Sequence, residues 1–175
     1  MSNDNQNSKE NLVPAYQKMM TRVEKTQKSA IKKTLQQHIE DAKEKAVELE
    51  ELTLEEAERI GDYLRRDLHD AAEFIVSTEQ ALADWIRFDL EVIEESLLEM
   101  FSMMVDQTQL ELENLAERAH QVTEWNSGEI TALGTLYCEM CGKALHFHKP
   151  DYIPACPNCG ATCFKRNMEI EDKDI

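Results

Sequence analysis

The sequence predicts a mainly α-helical protein in which a long antiparallel helical hairpin or coiled-coil bundle is followed by a small C-terminal β module. Apolar residues recur at helical intervals from Val13 to about Glu124, which indicates long amphipathic helices. Near the C-terminus, two Cys-x-x-Cys motifs are separated by fourteen residues, the spacing of a closed four-thiolate zinc site. The C-terminal module is therefore predicted to be a zinc ribbon.

The first helix is predicted to run from Val13 to Leu49. Its apolar and small residues recur mainly at intervals of three, four and seven. Pro14 suits the start of a helix, and neither glycine nor proline occurs between it and Leu49. One helix of about 35 residues would be roughly 50 Å long. Because so narrow an apolar stripe is not stable alone in water, this helix is expected to lie against another.

A second helix is predicted after a sharp turn near residues 50 to 53. Thr53 suits the N-cap and Glu56 its capping-box partner, while Leu52 is placed to pack on Ala57. The acidic face of this helix is available to the more basic first helix across the hairpin. Exposed ion pairs would each contribute only about 0.2 to 1 kcal/mol, but together they would select which helices pair.

The sequence leaves open whether the second helix is continuous. Ser77 and Gln80 form another capping-box pattern, which indicates a kink or a break. The apolar stripe nevertheless continues to about Glu124, and an unbroken helix from Thr53 would be about 108 Å long, as in a coiled coil.

The segment from Trp85 to Val105 is the most apolar part of the helical region, with apolar residues on more than one helical face. Such a segment is expected at the centre of a bundle or, over residues 81–105, at an interface between copies of the chain. A membrane-surface helix fits less well, because seven acidic residues from Asp84 to Asp106 would face anionic lipid. No apolar run approaches the roughly 18 residues of a bilayer span.

The helical region is predicted to end at residues 126–128, where Gly128 suits a left-handed helix stop. Strand-like runs follow around residues 131–137, 146–148 and 162–166. The chain is thus divided into a disordered N-terminus (1–11), an acidic helical region (12–125), the ribbon (126–167) and an acidic disordered tail (168–175).

Four cysteines are the candidate metal ligands: Cys138, Cys141, Cys156 and Cys159. Gly142 and Gly160 directly follow the two motifs, as a tight knuckle requires, and Pro157 stiffens the second knuckle. Four soft thiolates favour one structural Zn²⁺ per chain, although the same ligands would hold iron. A module of about 40 residues is too small to build a large core. Zinc binding is expected to supply on the order of 10 kcal/mol of its folding free energy.

Three other residues of the ribbon are weaker candidate ligands. His146 and His148 lie between the knuckles, where they would either replace a cysteine or hydrogen-bond to one; with four cysteines present, surface positions are the simpler interpretation. Cys163 follows Cys159 by four residues and is expected to be a small half-buried apolar residue. A redox-active pair fits poorly, because thioredoxin-like sites contain one Cys-x-x-Cys at a strand-to-helix junction.

The net charge of −16 is concentrated in residues 51–127, which carry twenty acidic and five basic residues. Such a region is repelled from nucleic acid over about 8 Å and beyond, so general nucleic-acid binding is disfavoured. Local binding would use four basic and two aromatic residues of the ribbon: Lys143, Lys149, Lys165, Arg166, Phe147 and Phe164. The favoured interpretation is that the aromatic residues fill the ribbon core and the basic residues are ordinary surface.

The ribbon resembles that of a known family. The residues that carry the resemblance are Gly128-Glu129, Leu133-Gly134-Thr135, Cys138-Glu139-Met140-Cys141-Gly142, Ile153-Pro154, and Cys156-Pro157-Asn158-Cys159-Gly160 followed by Phe164-Lys165-Arg166. They are similar to the C-terminal ribbon of the bacterial YbeL-like family, the domain of unknown function 1451, and the long acidic helical region is also similar. The resemblance implies that the four cysteines are the family's zinc ligands, and it supplies no catalytic residue.

No Ser-His-Asp arrangement, P-loop, Gly-rich dinucleotide motif or open metal site is recognisable, so a non-enzymatic role is predicted. The polar N-terminus shows no signal-peptide pattern, and reduced, paired cysteines indicate the cytoplasm. The first hypothesis is a helical bundle that presents a zinc ribbon to a protein partner. The alternatives are a nucleic-acid-associated regulator that binds through the ribbon, and a thiol/zinc redox sensor that releases zinc on oxidation.

Overall fold

The computed structural model describes residues 12–29, 33–112 and 124–166. In these ranges the helices are α1 (Leu12–Ser29), α2 (Leu35–Glu48), α3 (Leu54–Thr78), α4 (Leu82–Ile86) and α5 (Glu95–Leu110), with a 3₁₀ turn at Leu90–Val92. The strands are β1 (Trp125–Asn126), β2 (Ile130–Thr131), β3 (Gly134–Cys138), β4 (Ala144–Phe147), β5 (Asp151–Tyr152) and β6 (Cys163–Lys165). The predicted class, mainly α with a small C-terminal β ribbon, is confirmed.

The central element is α3, which packs against α1, α2 and α5 and also reaches β2. Its apolar stripe from Ala57 to Ala72 is buried, because neighbouring helices cover it on several sides. The facing stripes of α1, α2 and α5 are buried against it. Shorter helices therefore form a bundle around α3, where the sequence had suggested two very long ones.

The start of α3 follows the predicted capping box. The Thr53 hydroxyl accepts the N–H of Glu56 at 3.2 Å, and the Glu56 carboxylate accepts the N–H of Thr53 at 2.9 Å. Leu52 and Ala57, the predicted apolar pair across the cap, are both buried. The reciprocal bonds satisfy backbone donors that the first helical turn would otherwise leave without partners.

The prediction of one helix from Val13 to Leu49 is wrong, because the chain forms α1 and α2 and packs them against each other. Thr34 is the N-cap of α2: its hydroxyl accepts the N–H of Gln37 at 3.2 Å, and the Gln37 side chain accepts the N–H of Thr34 at 2.9 Å. The sequence contains this Thr-x-x-Gln capping box, but the helical spacing of apolar residues continues across it. That spacing concealed the start of a new helix. Residues 30–32 lie outside the described ranges.

An unbroken helix from Thr53 to Glu124 is also wrong, since α3 ends at Thr78 as the pattern at Ser77 suggested. Glu79 has a φ of 58°, a left-handed conformation that stops a helix. The next helix is not capped by Ser77; it follows Ala81, whose N–H is accepted by the Asp84 carboxylate at 3.0 Å. The predicted helical stripe over residues 113–123 lies outside the described ranges.

The apolar segment from Trp85 to Val105 contributes to the centre of the bundle. Trp85, Phe101 and Met104 are buried, and the rings of Trp85 and Phe101 stack with centroids 5.8 Å apart. Val92 remains exposed. Because the chain's own elements bury most of this surface, its apolar composition does not require a second copy. None of the described helices combines the length and apolarity needed to cross a membrane.

The ribbon consists of two small antiparallel sheets. Strands β1, β6, β3 and β4 form one sheet in that order, and β2 pairs with β5 in the other. The predicted helix end at residues 126–128 is wrong, because Trp125 and Asn126 pair with β6 as β1. Gly128 does have a positive φ of 91°, but it belongs to the turn between β1 and β2.

The ribbon buries two groups of apolar residues in different places. Phe147 and Phe164 fill a small core of its own, as predicted, together with Leu136 and the two buried cysteines. The apolar residues of β2 and of the segment after it are buried elsewhere. Ile130, Ala132 and Leu133 lie within the core of the helical bundle. The ribbon consequently has a small core of its own and also contributes residues to the core of the helices.

Candidate metal centre

The first knuckle joins β3 to β4. Cys138 ends β3, its N–H donates to the carbonyl of Lys143 at 2.9 Å, and the N–H of Gly142 donates back to the carbonyl of Cys138 at 2.9 Å. Gly142 has a φ of 75°, which glycine adopts without the steric cost that a side chain would bring. The backbone turn thereby places Cys141 beside Cys138.

The second knuckle repeats this geometry. The N–H of Cys156 donates to the carbonyl of Ala161, and the N–H of Gly160 donates to the carbonyl of Cys156, both at 2.8 Å. Gly160 has a φ of 77° and nothing lies within 4 Å of where a Cβ would stand. Glycine is therefore required here by backbone conformation and not by lack of space.

The two knuckles bring the four predicted sulfurs together, all within 4.8 Å of one another. The closest pairs join opposite knuckles: the sulfurs of Cys138 and Cys159 are 3.5 Å apart, and those of Cys141 and Cys156 are 3.6 Å apart. Four sulfurs about 2.3 Å from one zinc ion would be separated by about 3.8 Å, whereas a disulfide needs about 2.05 Å. The arrangement fits a tetrahedral metal site.

The charge of the donor set also fits a divalent cation. The Asn158 side chain and the backbone N–H of Lys143 lower the pKa of Cys141 to about 6. At Cys159 the N–H of Ala161 also lowers the pKa, but desolvation and hydrogen bonds with the other three thiols outweigh it and raise the pKa to about 12. At neutral pH Cys141 is therefore mainly a thiolate while Cys159 keeps its proton, and a bound divalent cation would allow Cys159 to ionise as well.

The two candidate histidines lie on the ribbon surface, outside the group of four sulfurs. Nδ1 of His146 is 2.9 Å from the hydroxyl of Thr135, which itself donates to the carbonyl of Ile86 at 2.8 Å. Because that hydroxyl proton is already used, His146 donates from Nδ1. His148 lines an open groove between α1 and the start of α5. Both residues thus face the helical half.

Cys163 is not the half-buried apolar residue that the sequence suggested. It is exposed on β6, and its thiol donates to the side-chain oxygen of Asn126 at 3.4 Å. The cause of the difference is strand alternation: Phe164 is buried on one face of β6, and its neighbour Cys163 points to the opposite, open face. The Cys163 thiol therefore lies in the same sheet as Cys138 but outside the group of four sulfurs.

A second polar cluster, which the sequence reasoning missed, lies where the ribbon meets the helices. Its centre is Asp67 of α3, which is fully buried. One carboxylate oxygen accepts Nε1 of Trp125 at 2.9 Å and Nη2 of Arg166 at 3.3 Å. The other accepts the hydroxyl of Tyr16 at 3.1 Å and the N–H of Ala132 at 2.9 Å. Donors from α1 and the ribbon thereby meet on one carboxylate, as a buried charge requires.

Arg166 is buried between the two halves of the molecule. Its guanidinium carbon lies 4.4 Å from the ring centre of Trp85 and 5.3 Å from that of Trp125. It also donates to the carbonyl of Leu133 at 2.7 Å and the hydroxyl of Thr131 at 2.6 Å. Burial lowers the pKa of Arg166, and the neighbouring carboxylates oppose that shift. This side chain is therefore not part of a basic surface.

Arg66, beside Asp67 on α3, completes the cluster. Its Nε donates the fifth hydrogen bond to Asp67 at 3.4 Å. Its other nitrogens donate to the carbonyl of Ile130 and the carboxylate of Glu129, both at 2.9 Å. We call Asp67, Arg66, Arg166, Tyr16 and Trp125 the Asp67 cluster.

A sequence signal for this cluster existed. Asp67 falls between Leu64 and Leu68 in the buried stripe of α3, and a charged residue at a core position needs a partner. The sequence did not show that partners would come from residues 58 and 99 positions further along the chain.

The sheet topology and the grouped sulfurs define the class: a protein with a zinc ribbon attached to a helical bundle. The chain belongs to the zinc-ribbon containing domain family, the domain of unknown function 1451, which it matches over residues 21–168. The resemblance seen in the sequence is thus confirmed.

Curated relatives agree with this assignment. "Uncharacterized protein YbeL" from Escherichia coli strain K12 is 31% identical over 133 residues, which cover 73% of this chain and 79% of the relative. The proteins of the same name from E. coli O6:H1 and O157:H7 match to the same extent. No solved structure is significantly similar to the chain.

Proposed function

We propose that this protein is a non-enzymatic zinc protein that holds one structural Zn²⁺ per chain and presents its ribbon to a protein partner. The observation that carries the proposal is the grouping of four cysteine sulfurs within 4.8 Å. A catalytic zinc site keeps a position for water or substrate, whereas four thiolates fill a tetrahedron. The cytoplasm is the proposed location, because a reducing compartment keeps the thiols available for metal.

The tip of the first knuckle is the surface that we propose for partner contact. Met140 is 79% exposed there, between the two cysteines of the motif. A methionine side chain is flexible and polarisable, so it adapts to an apolar surface on a partner. Cys141 and Gly142 beside it are exposed as well, which leaves the tip accessible.

Affinity purification of the tagged protein from its host tests this surface. We expect Met140→Glu to lose a protein that the wild type retains, because a carboxylate at the contact would have to be desolvated. Leu110→Glu is the matched control, since Leu110 is 83% exposed on the helical half. Identical captured proteins from all three, each with one zinc per chain, would refute contact through the knuckle tip.

Nucleic-acid binding through the ribbon receives less support from the geometry. Phe147 and Phe164 are buried and so cannot stack on bases, and Arg166 is enclosed by the Asp67 cluster. Lys143, Lys149 and Lys165 remain as sources of phosphate contacts. Filter binding at low salt is the test, because phosphate contacts are strongest there; tight, salt-sensitive binding would favour this alternative.

Redox sensing by the cysteines is the other alternative function, and one observation favours it. Cys141 and Cys159 are exposed, one in each knuckle, while Cys138 and Cys156 are buried. Peroxide reaching the exposed thiolates would oxidise two of them to a disulfide, form water and release zinc. Titration of Cys163→Ser with peroxide and a zinc indicator tests this without the non-ligand thiol. Zinc retention at oxidant concentrations that modify free cysteine would exclude it.

A further inference from the structure

We propose that the Asp67 cluster couples zinc binding in the ribbon to the packing of the helical bundle, so that the helices increase the ribbon's affinity for zinc. The inference rests on the zinc site of the proposed function. Asp67 belongs to the central helix, whereas the sulfurs lie at the knuckles between strands. The coupling would therefore act between separate parts of the fold.

The donors to Asp67 provide the first link. Trp125, Ala132 and Arg166, which supply three of the five hydrogen bonds, all belong to the ribbon. A ribbon that unfolds on losing zinc would withdraw these donors and leave the Asp67 carboxylate with only the hydrogen bonds from Tyr16 and Arg66. Because a buried charge with too few hydrogen bonds is disfavoured, the helices favour the folded, zinc-bound ribbon.

The shared core provides the second link. Ile130 and Leu133 are fully buried among residues of the helical bundle, and the side chain of Thr135 on β3 donates to the carbonyl of Ile86 in α4. The strand β3 ends at Cys138, the first sulfur of the site. One continuous strand thus connects the helical core to the metal site.

Thermodynamic reciprocity turns this connection into a prediction. If zinc stabilises the contact between ribbon and helices, a change that weakens the contact must weaken zinc binding by the same factor. Asp67→Asn is such a change, because the amide NH₂ replaces an acceptor oxygen and faces N–H or O–H donors. We expect the zinc affinity to fall about tenfold. Because such losses fall mainly on the dissociation rate, zinc release to a chelator should become correspondingly faster.

The chain carries an internal reporter of the same contact. It contains two tryptophans, and both flank the Arg166 guanidinium, at 4.4 Å and 5.3 Å. Separation of ribbon and helices would hydrate both indoles and move their emission to longer wavelength. Tryptophan emission and zinc release should therefore follow the same time course after addition of chelator.

The experiment uses the full-length, zinc-loaded chain mixed with an excess of a chromogenic zinc chelator, whose absorbance reports the zinc that it takes up. Asp62→Asn is the matched control: the same change on the same helix, at a carboxylate that pairs with Arg65 outside the cluster. Thr135→Val is the milder test variant, since it removes the ribbon hydroxyl that donates to the carbonyl of Ile86 in α4 at 2.8 Å. We expect it to release zinc several-fold faster if Asp67→Asn does not fold.

Two results would overturn the coupling. One is zinc release from Thr135→Val and Asp67→Asn at the rate of Asp62→Asn and wild type. The other is zinc release that leaves the tryptophan emission unchanged. A wild type that binds no zinc would sink the proposed function itself, and this is seen before any variant is compared.

Discussion

At the scale of single residues, Gly134 shows how closely the ribbon approaches the helices. Its φ is 102°, and a Cβ there would lie 2.7 Å from Nη1 of Arg166 and 3.0 Å from the Trp85 ring. Both neighbours are buried and packed against each other, so neither has room to move. The position needs glycine for both conformation and space.

Gly134→Ala is therefore expected to destabilise the protein by roughly 2 kcal/mol more than Gly128→Ala. Gly128 has a similar φ of 91° but open space around it, so its substitution costs about 1 to 2 kcal/mol of backbone strain alone. Urea unfolding of the two zinc-loaded variants measures the difference. Equal destabilisation would show that the contact with Arg166 and Trp85 is loose.

Asp70 gives a pH-dependent prediction. Burial raises the pKa of this carboxyl, which accepts Nε1 of Trp85 at 2.8 Å. A raised pKa means that the folded state favours the protonated carboxyl. The contribution of Asp70 to the free energy of unfolding is therefore fully present below the ordinary pKa of 3.8 and is lost as pH rises through the folded pKa. Asp70→Asn imitates the protonated form and should be more stable than wild type near neutral pH. Urea unfolding at pH 5 and pH 8 tests this; a less stable variant at pH 8 would contradict it.

Residue-scale prediction from sequence succeeded where the signal is local. The cysteines and the knuckle glycines were predicted because motif spacing and positive φ are properties of a few consecutive residues. Cys163 was placed wrongly because its exposure depends on which face of β6 packs inward, and that face is taken by Phe164. Asp67 was missed because its partners come from distant parts of the chain.

At the scale of elements, the helix caps decide where the bundle turns. The reciprocal bonds of Thr34 and Gln37 start α2, and the N–H of Leu35 donates to the Glu111 carboxylate at 3.0 Å. Capping signals predicted α3 correctly, and a pattern at Ser77 indicated the following break. Apolar periodicity was the less reliable guide, because two packed helices in succession keep the same spacing as one long helix.

Thr34→Ala should destabilise the protein by about 1 kcal/mol, because the N–H of Gln37 loses its acceptor. Ser77→Ala is the control: Ser77 is exposed, and its hydroxyl donates to the carbonyl of Phe74 at 3.4 Å instead of capping a helix. We expect less than about 0.5 kcal/mol for that change. Thermal unfolding followed at 222 nm compares them; a larger effect of Ser77→Ala would contradict the observed boundaries.

At the scale of the whole molecule, the ribbon completes the fold of the helices. Its segment from Ile130 to Leu133 lies in their core, and its donors surround Asp67. The sequence predicted both halves of the molecule but not this joint. Sequence patterns indicate the type of each element and which of its faces is buried. The contact between ribbon and helices depends instead on the three-dimensional path of the chain between β1 and β3.

Loss of the proposed metal ligand Cys156 should therefore affect both halves. We expect Cys156→Ser to lose zinc and to lower the melting temperature of the helices, since the ribbon would no longer fold against them. Cys163→Ser, outside the sulfur group, should retain one zinc per chain and the wild-type melting temperature. A helical melting temperature unchanged in Cys156→Ser would show that the two halves fold independently.

X-ray absorption spectroscopy of the purified, zinc-loaded wild type tests most directly whether the four sulfurs enclose one ion. We expect one zinc per chain with four sulfur neighbours at about 2.3 Å and no nitrogen or oxygen neighbour. A bound oxygen or nitrogen, or protein that folds fully with no metal, would contradict it.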